Sequence, residues 1–482
     1  MYLGLDIGTS AVKAVILDED GALLAEASAP LNVQRPQPGW SEQDPEAWWQ
    51  AANLAVTALP SALRASVVAV GLSGQMHGAT LLGRDDRPLR PAILWNDGRS
   101  QAECRTLEAR EPRTRSLTGN AAMPGFTAPK LVWLKAHEPE VFAATAKVLL
   151  PKDYVRLKMT GDHATDLSDA SGTLWLDVGR RAWSGDMLAA CDLGLSHMPT
   201  VHEGSSLTGR LRPEVAEAWG MEAVPVAAGA GDNAAGAIGV GVIQPGQAFL
   251  SLGTSGVIFV AGERFAPAPD KGAHAFCHAL PDRWHQMSVM LSAASCLDWV
   301  ARLTGFADVA AAMTAAQQRP AFAGPETFLP YLAGERTPHN DPGARGAFVH
   351  LGFDSDPAAL VRAVLEGVAF GLAEGLDVLV ASGAVIDQFA VIGGGSRSRY
   401  WGQILANALG RPMVYGADSH VGPALGAARL AQMALTGAAA ERVCPPPRTE
   451  FIIAPDPGLA DQVGERRATF AALYPALASA RT

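Results

Sequence analysis

Charge is scarce in this chain, and cysteine is scarcer. Only 18% of its 482 residues are charged, 38 basic against 48 acidic, for a net charge of −10. An acidic chain with no run of Lys and Arg interleaved with aromatics is a poor partner for nucleic acid or an anionic membrane. Phosphate, if handled at all, must be held locally by loops, a cation and a few basic side chains. The five cysteines (Cys104, Cys191, Cys277, Cys296 and Cys444) are scattered, odd in number and never spaced Cys-x-x-Cys. That pattern argues against a disulfide framework or a cysteine zinc site and suits a reducing compartment. Long apolar runs are missing too. The longest weakly polar stretch, 223–243, is rich in Gly and Ala, contains Pro225 and is split by Asp232-Asn233, so it does not read as a spanning helix. Met1-Tyr2 leads straight into a strand-like segment, so no secretory leader is expected and the cytoplasm is the expected location.

What the chain has in quantity is apolar side chains, 48%, and glycine, 50 residues. A globular chain of this length exceeds one ordinary core, so two large domains or a few smaller ones are expected. A repeated phrase supports that division. Leu3-Gly4-Leu5-Asp6-Ile7-Gly8-Thr9-Ser10 opens the protein, and Phe249-Leu250-Ser251-Leu252-Gly253-Thr254-Ser255-Gly256 returns near the middle. Each copy is an apolar run breaking into Gly-Thr-Ser. This suits a buried strand turning into a hairpin whose N–H groups and hydroxyls hold phosphate. Gln244-Pro245-Gly246 just before the second copy marks the boundary, giving domains 1–244 and 245–482.

The first copy is followed by a strand over 11–17, a turn at 18–21 and a strand over 22–28. Asp44 caps and Pro45 opens a helix running to about residue 63. Strands are expected at 67–72, 92–95, 224–230 and 388–392. Helices are expected at 234–242, 292–304, 356–382, 398–409 and 422–435. Pro445-Pro446-Pro447 ends this helical region, and the tail beyond reads as peripheral.

Several strand ends carry chemistry-bearing residues, and strand ends are where α/β sheets collect ligands. Asp6 sits where a carboxylate could orient a magnesium ion beside a nucleotide phosphate, or cap its own turn. Thr9, Ser10 and Thr254 offer hydroxyls, and Gly253 offers open backbone, to a phosphate. Lys13, three residues on, reads as an exposed strand lysine. Gly393-Gly394-Gly395 lies between a strand and a helix, bare backbone for an adenosine or phosphate. It has neither the dinucleotide nor the Walker spacing, which removes a nicotinamide oxidoreductase from consideration. Asp232 ends an apolar strand between Gly231 and Asn233. An alcohol attacking a γ-phosphate needs a carboxylate to take its proton, and Asp232 is the candidate base as well as a natural N-cap. Gln75, Met76 and His77 close another strand as an amide, a thioether and an imidazole suited to a small polar ligand. Asp97 and Arg99 either pair or brace that pocket, and bracing is the expectation.

These residues together resemble the FGGY carbohydrate kinases over nearly the whole chain. Gly125-Phe126-Thr127-Ala128-Pro129-Lys130-Leu131-Val132-Trp133 is similar to the family's first signature, and Glu366-Gly367-Val368-Ala369-Phe370-Gly371-Leu372 to part of the second. Ser73-Gly74-Gln75-Met76-His77-Gly78-Ala79, Leu94-Trp95-Asn96-Asp97-Gly98-Arg99, Pro151-Lys152-Asp153-Tyr154, residues 288–297 and 334–340 look like the bacterial subgroup acting on D-xylulose. Glycerol-phosphorylating members carry an Arg-Glu pair where this chain has Met76-His77. The resemblance implies an α/β fold of two actin-like ATPase (ribonuclease H-like) domains flanking a deep catalytic cleft. It implies ATP and Mg²⁺ as cofactors and D-xylulose as the sugar phosphorylated at its 5-hydroxyl. Asp232 then matches the base, Met76, His77 and Asn233 the sugar contacts, and Gly253-Thr254 with Gly393-Gly394-Gly395 the nucleotide contacts. No nucleic-acid or membrane partner is implied, and homodimerisation stays open. Kinases for ribulose or gluconate, and a non-catalytic actin-like nucleotide-binding protein, are the competing readings.

Overall fold

The computed structural model describes residues 1–416 and 422–479. Its described residues form two seven-stranded mixed sheets, one built from strands before residue 232 and one from strands after 247. The first holds Tyr2–Ile7 (β1), Ala11–Leu17 (β2), Leu23–Pro30 (β3), Ala69–Gly74 (β4), Leu207–Arg210 (β5), Pro225–Ala227 (β6) and Ala230–Gly231 (β7). Its order is β5-β6-β4-β1-β2-β3, with β7 pairing β4. The second holds Ala248–Leu252 (β8), Gly256–Gly262 (β9), His274–Cys277 (β10), Trp284–Met290 (β11), Phe389–Ile392 (β12), Met413–Gly416 (β13) and Thr449–Ile453 (β14). Its order is β10-β11-β9-β8-β12-β13-β14.

The repeated phrase folds the same way twice. β1 turns back into β2 as an antiparallel hairpin closed by the Ile7–Val12 pair, and β1 runs parallel to β4. β8 turns back into β9 at the Leu252–Gly256 pair, and β8 runs parallel to β12. Leu3, Leu5, Ile7, Leu250 and Leu252 are all fully buried. Buried apolar strands feed Gly-Thr-Ser turns that reach the surface at Ser10 and Thr254, as the pattern demands.

The helices used below are Pro45–Ala58 (α1), Thr127–His137 (α2), Pro151–Thr160 (α3), Leu167–Ser171 (α4), Asp232–Gly239 (α5), Pro357–Ala381 (α6), Arg399–Leu409 (α7), Gly422–Thr436 (α8) and Ala460–Ser479 (α9). Asp44 caps α1 through the Glu46 N–H, as expected. The helix stops at Ala58 rather than near 63, because Pro60 holds Leu59 extended at ψ 151°. The expected strand at 224–230 is split in two. Gly229 between the pieces has φ +79°, and a Cβ there would lie 1.9 Å from the Leu72 carbonyl oxygen.

The two halves join through small residues. α8 lies late in the sequence but packs on the first sheet and on α5. A Cβ on Gly71 would lie 1.8 Å from the Ala427 oxygen, and one on Gly426 would lie 1.8 Å from the Ala235 oxygen. Only bare backbone permits so close an approach. The tail departs from expectation. β14 completes the second sheet, and α9 packs on α6, where Arg466 pairs with buried Glu366 at 2.9 Å. Phe470 and Val463 on this helix belong to the second core, which explains why the tail is not peripheral. All five cysteines are free and buried. Burial pushes each thiol up to about 12, so none is poised to react at neutral pH. No helix of the described residues is long and apolar enough to cross a membrane.

Candidate active site at the strand ends

Three neighbouring strands of the first sheet run parallel and end together. β1 pairs Asp6 with Ser73 and Ile7 with Gly74 of β4, and β4 pairs Ser73 with Ala230 and Gly74 with Gly231 of β7. The residues at and just beyond these ends are Asp6 and Gly8, Gln75 and Met76, and Asp232. The fold thus gathers residues that lie more than 200 positions apart, at the edge where parallel strands expose ligand sites.

Asp232 is the first residue of α5, with Gly231 in the cap position, so the N-cap reading is displaced by one residue. Its Oδ1 accepts from the Asn233 N–H at 2.7 Å and from the Asn233 side-chain amide at 2.9 Å. Asn233 therefore aims the carboxylate from its own side. Burial, then the nearby Asp6 charge, push the Asp232 carboxyl up to about 7. Asp6 accepts from the Ser73 hydroxyl at 3.1 Å. Burial raises it to about 6, with Ser73 and Lys13 pulling the other way. Lys13 is an exposed strand residue, as expected. Two carboxylates in a poorly solvated pocket repel one another and favour a cation between them. Among the described residues no cluster of three or more His, Cys, Asp or Glu could hold a metal alone. Few protein ligands suit a hard cation that keeps waters and binds substrate phosphates.

Met76 and His77 follow β4. Met76 touches the strand end carrying the base: a Cβ on Gly231 would meet its Cγ at 2.9 Å, and one on Gly172 its Cε at 2.9 Å. His77 adopts φ +68°. Its carbonyl oxygen accepts from the Lys130 ammonium at 2.8 Å and from the Thr127 hydroxyl at 3.2 Å, which fixes that strained turn. Its Nδ1 lies 2.6 Å from the Gly172 carbonyl oxygen, so Nδ1 carries the proton and donates. Burial drops the imidazole to about 3, which keeps it neutral and leaves Nε2 as an acceptor. Phe126 meets the ring edge-on at 4.7 Å. Buried Lys130 is itself depressed to about 7 by desolvation.

Gln75 does not face a ligand. It accepts from the Thr9 hydroxyl at 2.9 Å and donates to Gln43 at 2.8 Å. The Thr9 hydroxyl also accepts from the Trp95 indole at 3.1 Å, so it is engaged inside the protein. Ser10 beside it is exposed. Asp97 and Arg99 pair directly at 2.7 Å, and Arg99 also reaches Glu42 and lies 3.6 Å over the Trp40 ring. They form a buried structural cluster of their own, where bracing of the pocket was expected. Their effect on the pocket is indirect, through the charge of Lys130.

The second sheet presents the other loops. Thr254 is exposed at the β8–β9 turn, where its carbonyl accepts from the Ala293 N–H at 2.9 Å and the Ser295 hydroxyl at 2.8 Å. Gly253 accepts from the Ala294 N–H at 2.9 Å. Gly393, at φ +91°, packs so closely that a Cβ would lie 2.7 Å from the Leu252 oxygen. Gly394 and Gly395 follow, so the glycine run and the second Gly-Thr-Ser turn lie side by side.

Asn120 and His274, not singled out from sequence, meet Arg336 of the 334–340 segment beside the pocket. His274 lies 2.7 Å from the Asn120 amide oxygen and 3.2 Å from Arg336, and its ring is 5.5 Å from Phe126. No local spacing joins residues 120, 274 and 336, and each alone looks like an ordinary polar residue.

The chain is similar to known proteins over most of its length. Residues 1–239 match the N-terminal domain of the FGGY family of carbohydrate kinases, and residues 248–435 match its C-terminal domain. The chain is 58% identical over 435 residues to a xylulose kinase of Escherichia coli K12, covering 90% of each chain. It is similar to the crystal structure of a "xyloylose kinase" from Brucella ovis, with a TM-score of 0.96, 49% identity and 99% of each chain covered. It is also similar to the crystal structure of a gluconate kinase from Lactobacillus acidophilus, with a TM-score of 0.94 at 26% identity, covering 99% of this chain and 98% of that one. With both domains matched in order and most of its length covered, the chain belongs to the FGGY family of carbohydrate kinases.

Proposed function

We propose that the protein transfers the terminal phosphoryl group of ATP to the 5-hydroxyl of D-xylulose. The observation that carries the reading is the pair of carboxylates at strand ends on either side of β4, Asp6 and Asp232, close enough for the Asp6 charge to raise Asp232. The choice of sugar rests on the 58% identity to the Escherichia coli xylulose kinase. Met76, the His77 Nε2 acceptor and Asn233 hold the sugar. Asp232, raised to about 7, is ionised in a large fraction near neutral pH and basic enough to take a hydroxyl proton. As the sugar oxygen forms its bond to the γ-phosphorus, the bond from that phosphorus to the departing ADP oxygen breaks, and the proton passes to Asp232. Thr9 and Ser10 on one side, and Gly253, Thr254 and Gly393-Gly394-Gly395 on the other, hold the nucleotide, largely through backbone N–H groups. Mg²⁺, oriented through Asp6, would offset phosphate charge. We place the boundary between a sugar-binding and a nucleotide-binding domain at residues 244–245. Five free, buried thiols support a reducing location, and we propose the cytoplasm.

Gluconate is the second reading, favoured by the structural likeness at a TM-score of 0.94. ADP release with D-xylulose, D-ribulose, L-ribulose, glycerol and gluconate decides between them. D-xylulose is expected to give the highest kcat/KM by at least about tenfold, the low end of the discrimination that one differing group gives. A higher value with any other compound overturns the sugar assignment. Absence of sugar-dependent ADP release with every compound overturns the kinase reading.

A further inference from the structure

Behind the strand ends lies a buried ionic cluster that the reaction does not use. Lys152, on α3, has its ammonium 2.6 Å from Asp153, 2.8 Å from Asp166 and 3.3 Å from Asp169, and all four side chains are essentially inaccessible to solvent. Burying three carboxylates around one lysine is unfavourable unless their positions are tightly fixed. A hydrogen-bonded path leads from the cluster toward the active site. Asp166 caps the short helix α4, accepting the Ser168 N–H at 2.7 Å and the Ser168 hydroxyl proton. The same Ser168 oxygen accepts the Gly231 N–H at 3.1 Å. Gly231 immediately precedes Asp232.

We propose that Ser168 is a positioning residue for the base, fixing the backbone from which Asp232 projects through a buried relay from Lys152 by way of Asp166. The inference rests on the reading of Asp232 as the base. Its physical content is that the Gly231 N–H is buried and donates to the Ser168 oxygen. Without the serine oxygen that buried donor is unpaired, and the strand end shifts to satisfy it. Asn233 aims the carboxylate from one side, while Ser168 holds the chain on the other. The end of the same helix carries a second link to the pocket, since the Gly172 carbonyl that follows α4 accepts the His77 proton. α4 therefore touches the backbone under the base and the ring beside the sugar. A small displacement of a reacting group lowers turnover steeply while leaving binding nearly intact.

The test is a double-mutant cycle in the full-length protein, read as kcat and KM for D-xylulose and ATP. Ser168→Ala is expected to lower kcat about tenfold with both KM values within about twofold. In an Asp232→Asn background the same change is expected to alter the residual kcat by less than about twofold, because it acts through the carboxylate already removed. Ser168→Cys keeps the buried volume and replaces the hydroxyl with a weak partner, so it serves where the alanine variant does not fold; it is expected to lower kcat in the same pattern. Ser168 variants with kcat within twofold of the parent overturn the proposal. So does an equal fold-loss in both backgrounds, which a merely structural role would give. Near-parental turnover of Asp232→Asn itself would instead overturn the base assignment, a separate outcome.

Discussion

The two Gly-Thr-Ser hairpins share a topology and differ in what surrounds them. Each turns from a buried strand that also pairs in parallel with a second strand, β1 with β4 and β8 with β12. Around the first stand Asp6 and Asp232, both with raised carboxyls, and His77 held neutral. Around the second stand glycines and backbone: Gly253, Thr254 and the Gly393 run against Leu252. The position of Asp6 is Ser251 in the second copy. In the function proposed above, one repeated topology serves proton transfer on one side and acts as a neutral phosphate cradle on the other. A base and a phosphate grip have opposite electrostatic needs, so placing them on separate sheets lets each be met.

Removing the carboxylate from the first site has the largest expected effect. Asp232→Asn keeps an acceptor for Asn233 and should lower kcat on the order of 10²–10⁴-fold in an ADP-release assay. As the proposed base, the same group should set the pH dependence. It works ionised and is raised to about 7, so kcat/KM for D-xylulose should fall about tenfold per pH unit below that value. Its effect on stability has the opposite sense. A carboxyl whose folded pKa lies above its unfolded value disfavours the native state as pH rises from the ordinary carboxylate range to about 7. Asp232→Asn should therefore raise Tm relative to the parent at pH 8 and not at pH 4. A loss of activity with no gain in Tm at pH 8 would show that the carboxylate is compensated in the folded protein.

The comparison depends on the halves being held in place, and the small-residue junction does this. Gly426→Ala drives a methyl group against the Ala235 backbone and should destabilise the protein by about 1–3 kcal/mol in a denaturant titration. A variant as stable as the parent would mean that α8 can slide on α5 without loss.

His77→Ala should be milder. It removes one acceptor and an aromatic contact, and should raise KM for D-xylulose on the order of tenfold with ATP affinity unchanged. An unaltered sugar KM would move the pocket elsewhere.

Much of this was legible in the residues. The repeated phrase located both hairpins, and the strands carrying Asp6, Met76-His77 and Asp232 are local patterns that the fold brings to one sheet edge. Those signals are local, since alternation, caps and turn glycines act within a few residues. Non-local facts could not be read. Gln75 turns inward because Gln43 and Thr9 are there to receive it. The tail joins the second core through Phe470 and Val463, which pattern alone does not distinguish from a surface helix. Ser168 earns its place only because Gly231, 63 positions on, lies against it.

An effect of similar size in the second half is the sharpest test of the asymmetry. Ser251 sits on β8 at the position Asp6 occupies on β1, and it is half-buried. If the second hairpin holds phosphate through neutral groups, a negative charge there opposes the ligand. Like charges several ångströms apart at a protein surface interact at the level of a few kcal/mol, reduced by solvent and ions. Ser251→Asp should therefore raise KM for ATP about tenfold while leaving KM for D-xylulose within about twofold. The isosteric neutral change Ser251→Asn should leave both nearly unchanged, which separates charge from bulk. If Ser251→Asp binds ATP as well as the parent does, the second loop is not near the phosphates. If it weakens sugar and nucleotide equally, the division between the two halves is not the one their surroundings suggest.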